Sequence, residues 1–475
     1  MNGLWTTDEM ARAMGARRVG ALPDAVNGVS IDSRTIVPGQ AFFAIKGDAH
    51  DGHDFVAAAL QAGAALAVVS RTQKGPFDSP LLIVRDVLGA LRKLARAARA
   101  RTHAQVIAVT GSVGKTSTKE ALNLALSRDG ETHASVASFN NHWGVPLSLA
   151  RLPVSARYAV FEIGMNHAGE ITPLTKIVRP HVAVITTVEP VHLEFFASVE
   201  AIADAKAEIF KGVEPGGAAV LNRDIPHFAR LAQHAKRAGV ERVVSFGESE
   251  HADAKLIKCA LQPESSTVEA DIMGSRVAYK LGAPGRHLVL NSLAVLATAS
   301  IAGADLALAS LSLADLRPAV GRGTRLKLPL HGGEALVIDE SYNANPTSMR
   351  AALALLAQAP LRRHGRRIAV LGDMLELGPK GSDLHRDLAD VITGGGIDLV
   401  FCAGPLMQAL WQALPPQRRG AYADSSAALE AHVIAAIHAG DAVMVKGSAG
   451  SKMAPIVKAL VRHSSRVAAP ERVQG

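Results

Sequence analysis

The chain has 475 residues, of which 48% are hydrophobic, 20% charged and 4% aromatic. That length suits about three domains at ~150 residues each, and the composition excludes a disordered or fibrous chain. A formal net charge of +8 favours acidic partners such as nucleotides, polyphosphates or carboxylates, and is also compatible with nucleic acid or an anionic membrane face.

The opening "MNGLWTTDEM" lacks the basic-then-apolar order of a secretory leader, and Thr6 with Glu9 stands at capping-box spacing for a first helix. The stretches "VSIDSRTIVPGQAFFAIKG" and "FVAAALQAGAALAVV" predict a small mixed α/β domain closed by a cationic helix over 87–101. Two arginine clusters, Arg92, Lys93, Arg96, Arg99, Arg101 and Arg362, Arg363, Arg366, Arg367, have helical spacing with no interleaved aromatics. They read as solvated faces and argue against nucleic acid.

From Val106 onward the β-rich runs "VIAVTG", "YAVFEIG", "HVAVITTV", "AAVLN" and "RVVSFG" alternate with helical patterns, which predicts a parallel sheet. The uncharged window 287–304 is long enough for a membrane span but rich in Ala, Ser, Thr, Asn and Gly, and is expected to be a buried helix. A second series, "ALVIDES", "RIAVLGDM", "LVFCAG" and "AVMVKGS", predicts another open α/β unit. Between the two, "LRPAVGRGTRLKL" has no clear periodicity and is expected to be a hinge-like linker over 318–325. The resulting domains are 1–101, 102–318 and 319–475. Cys259 and Cys402 form no CxxC pair, so neither a disulfide framework nor a thiolate zinc site is suggested, and a reducing compartment fits.

The segment "VIAVTGSVGKTSTKEAL" passes from a strand through Gly111, Ser112, Val113 and Gly114 into a helix that begins with Lys115, Thr116 and Ser117. Such a junction aims free backbone N–H groups and a lysine at one point, which favours a polyphosphate. The spacing is the shorter GxxGKT and not the full Walker pattern. Glu162 closes the "YAVFEIG" run and His192 follows the "VAVITTVEP" strand, each at the edge where ligands of open α/β sheets sit. By pattern alone Lys206, beside Asp204 and Glu208, reads as a surface cation, and Asn140 and Asn141 as turn formers.

In this order, with "GRHLVLNSLAV", "DESYNANPTSM", "GDMLELG" and "VMVKGS" further on, these residues resemble the Mur ligases, ATP-dependent amide-forming enzymes of bacterial cell-wall precursor synthesis. The resemblance runs through nearly the whole chain. "SYNANPTSM" and "GDMLELG" resemble the branch that adds D-alanyl-D-alanine to UDP-N-acetylmuramoyl-tripeptide. "DSRTIVPGQAFFAIKGDAHDGHDF" is shared with the third-residue-adding branch, whose DNPR segment is absent here.

The resemblance implies an α/β fold of three domains: a small mixed N-terminal domain for the UDP substrate, a central P-loop ATPase-like parallel-sheet domain, and a Rossmann-like C-terminal domain. It implies ATP as co-substrate and one or two Mg²⁺, with Lys115 and Thr116 on phosphates and metal, Glu162 and His192 on metal, and Lys206 carbamylated. Asn291 would approach adenine and Asp339 the ribose. Arg325 would meet the phosphates, with Arg322 as the alternative; Leu288 stands where many members have asparagine. Ser33, Arg34, Lys46 and Gly47 would lie near the UDP moiety, with Asn140 and Asn141 at the substrate. Tyr342, Asn343, Asn345, Asp373 and Glu376 would frame dipeptide or nucleotide. The implied protein is a cytoplasmic monomer without a nucleic-acid partner or stable membrane insertion, working through an acyl phosphate. A third-residue-adding Mur ligase, a folylpolyglutamate synthetase-like ligase and, from another class, a P-loop switch NTPase remain as alternatives.

Overall fold

The computed structural model describes residues 3–48, 50–70, 79–136, 138–191, 193–318, 320–362 and 364–468. Thr6 caps the helix Thr7–Met14 in a capping box with Glu9, as its spacing predicts. A five-stranded sheet follows, parallel except for the antiparallel edge strand Arg17–Val19. Phe43, Leu66 and Val68 bury one of its faces against the helix Val87–Arg101, whose Leu91, Leu94 and Ala98 complete that core.

The same helix ties this unit to the central one, and two of its arginines are not on a solvated face. Arg99 is buried and donates from Nε to the Val178 carbonyl at 2.8 Å and from Nη2 to that of Arg179 at 2.7 Å. It satisfies carbonyls left open at the end of the helix Ile171–Val178. The Arg101 guanidinium lies 3.2 Å from the ring centre of Trp5, whose Nε1 donates to the Ala150 carbonyl at 2.8 Å. The described residues of the second cluster, unlike the first, are not on a helix. Arg362 pairs with Glu334 at 2.9 Å and Arg366 with Asp441 at 2.7 Å, while Arg367 begins the strand Arg367–Gly372; Arg363 is outside the described residues.

In the nine-stranded central sheet, Gln105–Thr110 lies between Val182–Ile185 and Tyr158–Glu162, all parallel. The β-branched run is buried on both faces, as a parallel strand covered by helices requires. This arrangement brings the ends of three strands to one place. Ala218–Asn222 and Arg242–Gly247 extend the parallel part, and Ala254–Leu261, Ser266–Ile272 and Ser275–Leu281 add an antiparallel meander. The uncharged window forms the buried helix Arg286–Ile301 beneath the sheet. Among the described residues no helix is long and apolar enough to cross a membrane.

The third sheet has six strands, parallel except for Thr324–Leu330, which pairs antiparallel with Gly333–Glu340. Thr324 and Arg325 sit opposite Asp339 and Ile338, so the expected linker is shorter than 318–325. The irregular stretch ends at Gly323, which with Gly321 has a left-handed backbone.

Candidate active site

The loop after Gln105–Thr110 is shaped by two glycines with positive φ. A Cβ on Gly111 would collide with the Thr186 hydroxyl, and one on Gly114 would lie 2.6 Å from Asn291 Nδ2. Only glycine lets the chain turn this tightly. Lys115 then opens the helix Lys115–Ser127 and folds back to donate from Nζ to the Gly111 carbonyl at 2.7 Å. Burial lowers the pKa of its ammonium, Glu162 opposes that shift, and the Arg322 charge adds to it. A phosphate anion beside it would favour the ammonium and counter the Arg322 charge.

Glu162 ends its strand almost fully buried, at 1% exposure. It accepts from Thr116 Oγ1 at 2.8 Å and from Asn140 Nδ2 at 2.7 Å. The hydroxyls of Thr116 and Ser138 are 3.3 Å apart, and Arg322 Nη2 donates to Ser138 Oγ at 3.3 Å while its guanidinium lies 4.1 Å from the Tyr342 ring centre. A buried carboxylate with two hydroxyls at a phosphate loop is an all-oxygen donor set, which fits Mg²⁺. Among the described residues no three His, Cys, Asp or Glu side chains converge on a metal position; His192 is outside the described residues.

Lys206 is not the surface cation that its sequence neighbours suggest. It is 2% exposed on the helix Val199–Ala207. Asp204 is bound to Arg230 at 2.5 Å and His234 at 2.8 Å, and Glu208 accepts from Gly169 N at 2.6 Å. Burial, and then the nearby Lys115, hold its pKa well below that of an ordinary lysine.

A cavity of about 550 Å³ opens between the central and C-terminal sheets, lined by Ser112 to Ser117, Asn140, Glu162, Asn291, Arg322, Arg325, Tyr342, Asn343 and Asn345. Of the two arginines, Arg322 is the one that touches the Thr116 shell; burial lowers the Arg325 pKa, and Glu264 partly offsets that. Asp339 does not line the cavity. Its carboxylate accepts from Ser341 N at 3.0 Å and Ser341 Oγ at 2.6 Å, because alternation along the strand sends it to the far side. Glu340 lines the cavity instead and pairs with Lys446 at 3.2 Å.

Other residues singled out from sequence stand elsewhere. Asn141 Oδ1 caps Trp143 N at 3.2 Å and Gly144 N at 2.9 Å. Asp373 accepts from Met407 N at 2.9 Å, with its pKa raised by burial, and the Glu376 carbonyl accepts from Glu194 N at 3.3 Å. Ser33, Arg34, Lys46 and Gly47 belong to the N-terminal domain. Arg34 is paired with Asp32 at 2.7 Å, and a Cβ on Gly47 would lie 2.8 Å from the Trp143 ring. Sequence reasoning missed Ser138, Glu340, Lys446, His287, Glu189 and Thr347, all of which line the cavity. For Glu189 a signal existed, since "TTVEP" places a carboxylate shortly after a strand, near the edge where Glu162 ends its own.

Three family descriptions match the chain: Mur ligase family, catalytic domain, over 25–101; Mur ligase middle domain over 109–299; and Mur ligase, glutamate ligase domain, over 324–449. The UDP-N-acetylmuramoyl-tripeptide–D-alanyl-D-alanine ligase of Rickettsia prowazekii is 33% identical over 454 residues, covering 96% of this chain and 99% of its own. Among solved structures, MurF from Acinetobacter baumannii aligns with a TM-score of 0.82 at 31% identity, covering 96% of this chain and 99% of the other. MurF from Thermotoga maritima in complex with ADP aligns with a TM-score of 0.76 at 27% identity, over 93% and 98%.

Proposed function

Because this chain belongs to the Mur ligase family, we infer that it is an ATP-dependent ligase joining D-alanyl-D-alanine to the terminal carboxylate of UDP-N-acetylmuramoyl-tripeptide. The observation that carries this reading is the cleft in which the phosphate loop, the Thr116–Glu162 pair and Arg322 meet.

A carboxylate is a poor electrophile because it already carries negative charge. In the proposed reaction the tripeptide carboxylate oxygen attacks the γ-phosphorus of ATP, ADP leaves, and an acyl phosphate forms. Lys115 and Arg322 face the loop where charge builds on the phosphoryl oxygens; Arg325 lines the same cavity further along. Thr116 and Glu162, together with His192 and a carbamylated Lys206, would hold one or two Mg²⁺, supplying Lewis-acid neutralisation of those oxygens. The dipeptide amine then attacks the acyl carbon, inorganic phosphate leaves, and the amide remains. Asn291 serves the base of ATP, and Glu340 replaces Asp339 as the carboxylate facing the ribose side. Tyr342, Asn343 and Asn345 frame the acceptor, while Ser33, Arg34, Lys46 and Gly47 hold the UDP end.

Acyl phosphates hydrolyse, so closure of the cleft about residues 318–323 would exclude water during transfer. The reaction belongs to the cytoplasm, where ATP is supplied, and each monomer contains every group invoked. The test is phosphate release with ATP and UDP-N-acetylmuramoyl-tripeptide, comparing D-alanyl-D-alanine with diaminopimelate as acceptor. Release that requires the dipeptide is expected. Equal turnover with ATP alone would identify a switch NTPase, and release that requires diaminopimelate with UDP-N-acetylmuramoyl-dipeptide in place of the tripeptide would identify the third-residue-adding activity.

A further inference from the structure

Glu189 touches both sides of the cleft. On the central side, Ser112 of the phosphate loop accepts from Glu189 N at 2.8 Å and donates from Oγ to the Glu189 carbonyl at 3.1 Å, and Ser112 N donates to the Thr187 carbonyl at 2.9 Å. Backbone 187–189 is therefore stitched to the loop that cradles phosphate. On the other side, Thr347 of the C-terminal domain donates from Oγ1 to Glu189 Oε2 at 2.8 Å. Thr347 lies in the first turn of the twelve-residue helix Pro346–Ala357, which Asn345 caps by accepting from Ser348 N. A helix N-terminus carries partial positive charge, so it attracts the carboxylate as well as hydrogen-bonding it.

We propose that Glu189 is a positioning residue that clasps the C-terminal domain onto the phosphate loop, so that Arg322 and the acceptor-side residues are held against the γ-phosphate during transfer. The proposal rests on the ligase reading above. The phosphate loop belongs to the central domain while Arg322 and Glu340 reach the cleft from the C-terminal side, so losing the clasp acts chiefly on the rate of transfer and only secondarily on nucleotide affinity. Thr186 and Ser112 hold the loop from within the central domain; Glu189 with Thr347 adds a link across to its neighbour.

The experiment is a double-mutant cycle with Glu189→Ala and Thr347→Val, measuring kcat for dipeptide-dependent phosphate release and, separately, the Kd for ATP. Each single variant is expected to lower kcat about tenfold to a hundredfold, the size of one charge-assisted hydrogen bond, with a smaller change in ATP affinity. The double variant should be no slower than the worse single one, because both remove the same link. Glu189→Gln, which keeps an acceptor oxygen but loses the charge, should fall between wild type and alanine. Full kcat in Thr347→Val, additive losses, or a defect confined to ATP affinity would each overturn the clasp. Wild-type protein with no dipeptide-dependent release would instead overturn the ligase reading.

Discussion

The Thr116 hydroxyl donates to the Glu162 carboxylate at 2.8 Å, joining the residue after the loop lysine to the end of the neighbouring strand. A carboxylate that is 1% exposed with two such donors is already oriented before any ligand binds. Glu162→Gln keeps the shape and removes the anion. It is expected to lower kcat by about a hundredfold or more and to raise the Mg²⁺ concentration needed for half-maximal rate. Titrating Mg²⁺ in the phosphate-release assay decides it: an unaltered Mg²⁺ dependence would remove Glu162 from the metal site.

Lys115 should separate activity from stability. Its ammonium is disfavoured by burial and by Arg322, with Glu162 only partly compensating, so the folded protein holds it at a cost. Lys115→Met is expected to abolish phosphate release while leaving the melting temperature at or above that of wild type. A drop of more than about 5 °C, roughly the effect of 1–2 kcal/mol in a chain of this size, would show that the ammonium holds the loop together through the Gly111 carbonyl.

Much of this was legible in the sequence, because local chemistry dictated it. The strand–glycine–lysine–helix junction, the β-branched runs on either side of it and the Thr6 cap depend on neighbours a few residues away. What escaped depends on distant partners. Lys206 looks like a helix-surface cation until the fold pairs Asp204 with Arg230 and buries the lysine. Asp339 and Glu340 are adjacent carboxylates, and only the pleat of a strand inside a known sheet decides which one faces the cleft. The antiparallel meander over residues 254–281 was also missed. Its alternation is blurred by a register shift between Leu256 and Lys258, although Met273 and Gly274 carry the positive φ of a tight hairpin turn.

The burial of Lys206 beside Lys115 makes a direct prediction about modification. Burial and Lys115 shift the pKa of this lysine downward, toward the neutral amine that attacks CO₂, and a divalent cation would then stabilise the anionic product. Protein equilibrated with ¹³C-bicarbonate and Mg²⁺ should show one carbamate carbon resonance that is missing from Lys206→Met. That variant should fold as wild type does and lose transfer activity. A resonance that persists in the variant, or full activity without it, would eliminate the modified lysine.

Acid should loosen the C-terminal domain first through His385. The ring is fully buried, accepts from Met374 N at 2.9 Å through Nε2 and donates from Nδ1 to the Gly381 carbonyl at 2.6 Å, an arrangement that requires the neutral imidazole. Burial lowers its pKa, with the Gly381 bond and Asp373 only partly opposing. The unfolded chain therefore binds the proton more readily, near the free value of about 6.5. The stabilisation is present above that pH and is lost as pH falls from it through the lower folded pKa. His385→Gln removes the titration and disturbs the two bonds, so it should cost about 1–3 kcal/mol near neutrality and flatten the decline in stability below about pH 6.5. Urea unfolding across that range, followed by a probe in the C-terminal domain, supplies the comparison. An acid slope as steep in the variant as in wild type would assign the titration to other buried imidazoles, such as His133.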